Sequence, residues 1–264
     1  MKQLLILLTL FAFSFSALAQ ETKKPTQKTR KEQKRDRINA QIKAEEEGVI
    51  AYRKHYAFGI KLISDGYGIS FEKGYSKSVK KATLFQLEIS ERKHQKEIKQ
   101  SNNATSVSSP FIYGKINFFY PVKLGVQKQF LLGNKSNKNG VSITANIGGG
   151  LSLGLLRPYE LQVEKNGEYV YVRYESDDSL LFKTGTVIGG PGFSRGWNHL
   201  KLNPGLYVKP GLRFDFGRYN DLVKAIEVGL AAEFYSKKVP QVFDNKQKQF
   251  FFSAYFAFLL GKRK

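Results

Sequence analysis

The stretch LKLNPGLYVKPGLRFDF, residues 200–216, alternates apolar side chains with charged, polar or glycine residues. Successive side chains of a strand point to opposite faces, so this pattern predicts a long strand with one apolar and one charged face. The predicted apolar face carries Leu206, Val208, Leu212 and Phe214. The predicted charged face carries Lys201, Lys209, Arg213 and Asp215.

The same period of two recurs along most of the chain, as in VSITANIGGGLSLGLL (141–156) and AIEVGLAAEFY (225–235). We predict that one set of side chains faces lipid: Leu206, Val208, Leu212, Phe214, Val228, Leu230, Ile143, Ile147, Leu151 and Leu153. We predict that a second set forms a charge network in the interior of a barrel: Lys201, Lys209, Arg213, Asp215, Glu227, Glu233, Lys115 and Lys123. The triple glycine at 148–150 would make room for large inward side chains or allow a bend.

Two folds produce such alternation, an antiparallel up-and-down transmembrane β-barrel and a soluble β-sandwich. Strand length favours the barrel, because membrane-crossing strands need about 9–11 residues and soluble strands average about 5–6. We predict about eight strands, near 56–63, 67–74, 81–90, 111–132, 141–156, 200–216, 224–236 and 247–260. The fold class predicted is all-β, a barrel of about eight strands with a polar N-terminal tail.

The predicted connections alternate between short and long. YSKSV, GNKSNKNG and GRYNDL would lie at one end, and longer connections would lie at the other end together with the tight turn SDG. Short periplasmic turns and long outer loops are typical of outer-membrane barrels. The longest connection, 157–199, contains KNGE, which predicts a hairpin of its own. Pro204 and Pro210 cannot donate ladder hydrogen bonds, so we expect a bulge there or a strand segment beyond the hydrocarbon.

The N-terminus has the parts of a secretory signal peptide. MKQLLILLTLFAFSFSALAQ contains Lys2, an apolar run and a small-x-small site, so we predict a signal peptide at 1–19 with cleavage between Ala19 and Gln20. A retained membrane helix is the alternative, but the run is short. Residues 20–54 form a polar, basic tail that is disordered or a solvated helix, and the barrel domain would occupy 55–264.

The 264 residues carry a formal net charge of +21 with a pI near 9.9, and they include no cysteine. Such a charge suggests nucleic acid, but an exported protein does not meet cytoplasmic nucleic acid. The lack of cysteine excludes disulfides and thiolate metal sites. The basic residues would instead lie next to anionic lipid headgroups or lipopolysaccharide.

The segments GIKLISDGYGISFEKGY, YGKINFFYPVKLG and GGGLSLGLLRPYELQVE resemble the small outer-membrane β-barrel proteins, OmpA-like and OmpX-like in build. The resemblance also extends to an uncharacterised exported barrel family of Gram-negative bacteria. It covers most of the mature chain and implies a fold and an outer-membrane location, but no catalytic residues. The chain ends in LLGKRK, without the terminal aromatic residue common in such barrels.

We predict no catalytic, cofactor or metal site. Ser194, His199, Asp177 and Asp178 share the long loop, but hydrogen-bond geometry between a base and a nucleophile does not follow from their order. GGPGFSRG (189–196) lacks the Lys-Ser/Thr of a phosphate loop. The functional prediction is a non-enzymatic outer-membrane barrel whose loops or tail bind an envelope or secretion-assembly partner. The alternatives are a rim-located lipid- or lipopolysaccharide-modifying enzyme and a soluble exported β-sandwich that binds a ligand.

Overall fold

The computed structural model describes residues 29–46, 52–101, 109–135, 140–176, 179–217, 222–243 and 245–264. The predicted signal peptide and its cleavage site lie outside these residues, as do Asp177 and Asp178. The chain divides into two compact units, Met1–Asn39 and Ala40–Lys264.

A helix, Arg30–Glu46, occupies the predicted polar tail. Thr29 and Glu32 form a capping box, in which the Thr29 amide donates to Glu32 Oε2 at 2.9 Å and the Glu32 amide donates to Thr29 Oγ1 at 3.4 Å. Every side chain of this helix whose exposure is described is exposed to solvent. None of the described helices is long and apolar enough to cross a membrane.

Eight antiparallel strands close into a barrel, in the ring order β1-β13-β12-β11-β7-β6-β3-β2. Their bounds are β1 Lys54–Ile63, β2 Gly66–Ser78, β3 Lys81–Arg92, β6 Asn117–Gly133, β7 Ser142–Pro158, β11 Lys201–Asp215, β12 Leu222–Val239 and β13 Lys248–Arg263. The first and last strands pair from His55↔Arg263 to Ile63↔Tyr255, which closes the ring. The predicted eight-stranded, antiparallel up-and-down barrel is confirmed.

Short elements lie between the barrel strands. They are β4 Lys99–Gln100, β5 Phe111–Ile112, β8 Glu160–Lys165, β9 Glu168–Arg173, a helix Ser179–Thr184, β10 Val187–Gly189 and a 3₁₀ turn Trp197–His199. The sheet β10-β8-β9 contains the hairpin predicted in the long loop. Asn166 and Gly167 form its turn with φ of 55° and 81°, the left-handed values that the Asn-Gly pair favours.

The two ends of the barrel differ in their connections. One end, here called the turn end, carries the β2–β3, β6–β7 and β11–β12 connections together with the start of β1 and the end of β13. The other, here called the loop end, carries the tight turn at Ser64 and Asp65 and the β3–β6, β7–β11 and β12–β13 connections. This is the predicted asymmetry of short and long connections.

The strand predicted at 111–132 begins later than expected, at Asn117, so the predicted start is wrong. Gly114 has a φ of 74°, a left-handed value, and separates β5 from β6. A Cβ on Gly114 would lie 2.7 Å from the Phe243 ring, so the ring packs directly on this glycine. A loop-end turn therefore replaces the first part of the expected strand.

The bulge expected at Pro204 and Pro210 is absent. β11 pairs with β7 without interruption from Lys201 to Asp215. On the β12 side, Val208 pairs with Ala232 and Gly211 with Gly229, so the pairing skips Pro210 but keeps its register. The missing donor of the proline therefore interrupts the ladder on one side only, and the strand stays in the barrel wall.

Small residues on the inner wall make room for Tyr207, as the sequence predicts for its glycines. Tyr207 pairs with Gly150, and Gly150 pairs with Gly125 on the next strand. A Cβ on Gly125 would lie 2.4 Å from Tyr207 Oη and 2.4 Å from the Gly149 carbonyl oxygen. The phenol thus occupies the space that a side chain at position 125 would need.

We predict that Gly125→Ala destabilises the barrel, because the added methyl group overpacks the inner wall at a cost of about 1–3 kcal/mol. Gly133→Ala on the same strand is the matched control, since a Cβ there meets nothing within 4 Å. Urea unfolding in detergent micelles, followed by the fluorescence of the single tryptophan, measures both. Equal midpoints for the two variants would mean that Tyr207 does not fill this space.

Candidate functional site

Arg213 holds two carboxylates together inside the barrel near its turn end. Its Nη1 and Nη2 atoms donate to the two carboxylate oxygens of Glu72, each at 2.7 Å. Its Nε donates to Glu227 Oε2 at 2.8 Å. All three side chains are buried. The planar guanidinium matches a carboxylate in such a paired contact, which makes this the most specific ion pair of the interior.

Three lysines surround Glu88 at the next level of the interior. Lys61 Nζ lies 2.6 Å from Glu88 Oε2, and Lys123 Nζ lies 3.0 Å from Glu88 Oε1. Lys209 Nζ donates to Gln86 Oε1 at 2.8 Å and lies 3.6 Å from Glu227 Oε1. Lys209 therefore joins this level to the carboxylates of Arg213.

Arg92 and Glu233 continue the charges toward the loop end. Glu233 Oε1 lies 2.7 Å from Arg92 Nη2 and 2.6 Å from Lys123 Nζ. Tyr235 donates its hydroxyl proton to Glu233 Oε2 at 2.7 Å. Arg92 Nη1 also lies 3.2 Å from Asp65 Oδ2 in the tight turn. The ion pairs thus run without a gap from Glu72 to Asp65.

These groups are here called the interior network, which contains equal numbers of cations and carboxylates. The cations are Lys61, Arg92, Lys123, Lys209 and Arg213, and the carboxylates are Asp65, Glu72, Glu88, Glu227 and Glu233. Charges taken out of water are tolerated when they are paired and hydrogen-bonded. The interior is therefore filled by side chains, as is usual in a barrel of eight strands.

An apolar cluster closes the interior at the loop end. Its members are Phe119, Leu156, Tyr235, Val239 and Phe251. The rings of Phe119 and Tyr235 meet edge to face with their centroids 5.2 Å apart. Beyond the cluster, the Ile116 amide donates to the Gln241 carbonyl at 2.7 Å and Asn117 Nδ2 donates to the Pro240 carbonyl at 2.8 Å. Two loops thus cross over the barrel mouth.

Five of the residues predicted for the interior charge network belong to the interior network: Lys123, Lys209, Arg213, Glu227 and Glu233. Asp215 is buried at the turn end, where it pairs with Arg263 and with Lys135 Nζ at 3.3 Å. Lys115 is buried outside the barrel strands and lies 2.5 Å from Glu97 Oε2. Lys201 is half-exposed at the loop end and pairs with Glu175. Lys115 precedes β6 and Lys201 is the first residue of β11, so both side chains lie beyond the interior network at the loop end.

Sequence reasoning did not assign Lys61, Asp65, Glu72, Glu88 and Arg92 to the charge network. Lys61 and Glu72 lie on the first two strands, where the predicted segments are shortest, and Arg92 lies past the predicted end of the third strand. Lys61 alternates with outward Ile60 and Leu62, and Glu88 alternates with outward Leu87 and Ile89, so this signal could have found both. Arg92 lies between Glu91 and Lys93, and the signal is missing there. His55 lies on β1 and faces inward, with Nε2 3.6 Å from Glu72 Oε1.

The side chains predicted to face lipid lie on the outside of the barrel. Leu206, Val208, Leu212, Leu230, Ile147, Leu151 and Leu153 are exposed, and Phe214, Val228 and Ile143 are half-buried. Leu151 is 65% exposed although it lies at the middle of its strand. The apolar face of each strand thus points away from the barrel interior.

The long connection folds around an apolar core of its own. Its described residues, 159–176 and 179–200, are here called the loop domain. Its core includes Tyr159, Leu161, Val163, Val172, Phe182 and Val187, packed with Phe111 and Ile112 of the preceding loop. Large apolar side chains nevertheless remain on its surface: Leu180 is 70% and Phe193 77% exposed. A folded unit with exposed apolar side chains is suited to contacts with another molecule.

Arg157 fixes the loop domain to the barrel wall. Its Nη1 donates to the carbonyl oxygens of Phe193 at 2.5 Å and Arg195 at 3.3 Å. Its guanidinium carbon lies 4.0 Å from the Phe118 ring centroid and 5.0 Å from that of Trp197. A buried arginine between aromatic faces is stabilised by cation–π attraction. The base of the loop is therefore held in one position.

The residues weighed for catalysis form no site in the described part of the chain. Ser194 and His199 are both exposed, and no hydrogen bond joins them. The His199 amide instead donates to the Gly196 carbonyl at 3.3 Å, within the 3₁₀ turn. The third histidine, His94, lies in a different connection, between β3 and β6, and burial together with the nearby Lys248 lowers its pKa. No group of three His, Asp or Glu among the described residues could hold a metal ion.

Three solved structures are similar to this chain. Neisserial surface protein A is 10% identical over 80% of this chain and 96% of its own, with a TM-score of 0.37. The N-terminal β-barrel domain of Pseudomonas aeruginosa OprF is 11% identical over 79% and 96%, with a TM-score of 0.34. Ail, the attachment invasion locus protein of Yersinia pestis, is 9% identical over 80% and 96%, with a TM-score of 0.33. No protein-family model and no curated protein matches the sequence.

We predict that Arg213→Met strongly destabilises the protein, because it leaves Glu72 and Glu227 buried without their main partner. Breaking a buried pair in this way costs about 3–5 kcal/mol. Lys201→Met on the same strand is the control, since its ion pair is exposed and contributes at most about 1 kcal/mol. Urea midpoints in detergent micelles compare the two. If both variants unfold like the parent protein, the interior carboxylates are neutral or hydrated and not paired.

Proposed function

We propose that this chain is an exported, non-enzymatic integral protein of the outer membrane, and that it presents its loop domain to a partner in the cell envelope. The observation that supports the proposed membrane location is the exposed apolar surface around a closed barrel. Phe58, Ile60, Phe71, Phe256 and Phe258 are each 44–57% exposed on strands that leave no free edge among the described barrel residues. In lipid, closure pairs the backbone groups and the apolar side chains contact acyl chains.

The height of the apolar surface fits a bilayer. Outward side chains of β13 are apolar from Phe250 to Leu260. Ten residue steps of about 3.3 Å extend about 33 Å along the strand. A strand tilt of about 40° reduces this to about 25 Å along the barrel axis, the typical height of the apolar band of an outer-membrane barrel.

The soluble β-sandwich is excluded by the direction of the side chains. In a sandwich the apolar faces of two sheets pack on each other and the charged faces meet water. Here Lys123, Arg213 and Glu227 are buried, whereas Leu206 and Leu151 are exposed. This inside-out distribution requires an apolar surrounding.

The interior network argues against a pore. Ion pairs fill the barrel lumen, and the cluster of Phe119, Tyr235 and Phe251 covers them at the loop end. A small barrel filled in this way lacks a water-filled channel. The role therefore lies in the surfaces that the barrel holds in place.

The loop domain is the surface that we favour for a partner. Its apolar core and the Arg157 contacts hold it in one conformation, so binding would cost little ordering entropy. The exposed Leu180, Phe193 and Tyr169 provide the apolar and aromatic contacts typical of interface centres. The rim-enzyme alternative has no comparable support, since Ser194 and His199 are not hydrogen-bonded to each other.

We predict that the protein is recovered in the outer-membrane fraction and migrates differently in a gel before and after boiling. A closed barrel with fully paired strands resists detergent in the cold and unfolds only on heating. The chain carrying Gly133→Ala should behave in the same way and serves as a folded control. Release of the protein by osmotic shock, without a mobility shift, would refute the membrane assignment.

We predict that a photo-crosslinker at Leu180 yields a covalent adduct with one envelope protein in intact cells. The same crosslinker at Leu206, which is similarly exposed but faces the proposed lipid, should yield none. A double substitution, Tyr169→Ser and Phe193→Ser, should abolish the Leu180 adduct while leaving the heat-induced mobility shift unchanged. Equal adduct patterns at Leu180 and Leu206 would contradict a partner site on the loop domain.

A further inference from the structure

Outward lysines surround the turn end of the barrel. Six of the eight barrel strands contribute them, and the side chains are Lys54, Lys73, Lys77, Lys81, Lys128, Lys224 and Lys262. They lie at the outward positions of their strands, and all are exposed except Lys73, which is half-buried. This set is here called the lysine belt. It plays no part in the interior network or the loop domain.

Tyrosine and threonine side chains separate the lysines around the ring. Tyr56 pairs with Lys262 on one neighbouring strand and with Lys73 on the other. The ammonium group of Lys73 lies 5.5 Å from the Tyr56 and Tyr75 ring centroids. Lys128 donates to Thr83 Oγ1 at 2.9 Å. The belt is therefore an ordered surface of cations and hydroxyl groups.

The belt has no carboxylate partners among the described residues. None of its lysines forms an ion pair there, whereas Lys201 and Lys135 elsewhere do. The nearby carboxylates Glu72 and Asp215 point inward and are bound by Arg213, Arg263 and Lys135. Neighbouring like charges repel, so a bound anion would stabilise the belt.

The lysines of β1, β2, β3 and β13 lie at the border of the apolar surface, whereas on β6 the outward Phe130 and Leu132 lie beyond Lys128. Along β1 the outward side chains are Lys54, Tyr56, Phe58 and Ile60 in order, which grades from cation through aromatic to aliphatic. Along β2 the outward side chains are Lys77, Tyr75, Lys73, Phe71 and Ile69 in order. Two lysines and a tyrosine near the turn end are thus followed by apolar side chains. Amphipathic side chains of this kind occupy the level of lipid headgroups, with lysines extending toward the phosphate groups.

The loop end carries a smaller and mixed set of outward charges. Lys93, Lys238 and Lys248 lie there, together with outward Glu91, which accepts a hydrogen bond from Tyr67 at 2.6 Å. Lys201 pairs with Glu175 at the same end. The seven outward lysines of the turn end have no outward carboxylate beside them on the described barrel strands, so the turn end is the more strongly cationic end of the wall.

We propose that the lysine belt binds the anionic headgroups of phospholipids in the leaflet at the turn end. The inference rests on the proposed membrane function, because it requires the apolar surface to lie in a bilayer. A lipid fits better than a soluble acidic protein, since the lysines surround the barrel at the edge of its apolar surface and do not form one compact patch. Basic residues at this level attract anionic lipid, and salt weakens the attraction.

The test uses the full mature chain in phosphatidylcholine vesicles that contain spin-labelled phosphatidylglycerol or spin-labelled phosphatidylcholine. Electron paramagnetic resonance measures how much of each label the protein immobilises. We expect the parent protein to prefer the anionic lipid at least about threefold, and high salt to reduce this preference. Replacing Lys73, Lys81, Lys128 and Lys262 by Gln should remove the preference, and replacing them by Arg should keep it.

The matched control replaces loop-end lysines by Gln, namely Lys93, Lys237, Lys238 and Lys248, which are all exposed. This variant should keep the preference of the parent protein. Loss of the preference in both Gln variants would show a general effect of net charge and overturn the inference. A heat-modifiable barrel without any preference would also overturn it, and would leave the membrane assignment intact. A chain that forms no heat-modifiable barrel in either lipid would refute both.

Discussion

Closure of the sheet is the constraint on which the rest of the structure depends, and it is what the proposed membrane location requires, because hydrocarbon cannot hydrogen-bond to a peptide group. A sheet in such surroundings must close, since each free edge would expose a row of unpaired backbone groups. The pairing of β1 with β13 provides the closure. Closure in turn fixes which side of every strand faces inward. A shift by one residue would exchange Arg213 with its apolar neighbours, so the register is strongly specified.

Closure also creates an interior that the sequence must fill. A lumen of this size holds side chains but no free solvent path, and those side chains lie on the polar face of each strand. The chain fills it with charge, and each buried cation faces a buried carboxylate from another strand. Arg213 on β11 reaches Glu72 on β2, which is on the opposite side of the ring order. The interior network therefore links strands that the backbone ladder does not join directly.

The fold was predictable because period-two alternation is a local property. The faces of residues 200–216 and the shortness of the turn-end connections follow from neighbouring residues alone. The partners inside the barrel were not predictable, because Lys61 and Glu88, or Arg92 and Glu233, meet only after the ring closes. Lys115 and Lys201 show the same limit, because they were predicted for the charge network and do not belong to it. Both carry the right charge at the right parity, but Lys115 precedes β6 and Lys201 begins β11 at the loop end, so other loops provide their partners.

The net charge of +21 gains a physical explanation from this arrangement. The interior network pairs equal numbers of cations and carboxylates, so it contributes almost nothing to the excess. The excess must lie on surfaces, and in the barrel it concentrates at the turn end, where Lys73, Lys128 and Lys262 face outward. A soluble protein could disperse such charge in water. A barrel that holds it at the border of its apolar surface places it where anionic headgroups lie, so the feature that first suggested nucleic acid is better explained by a phosphate-bearing bilayer surface.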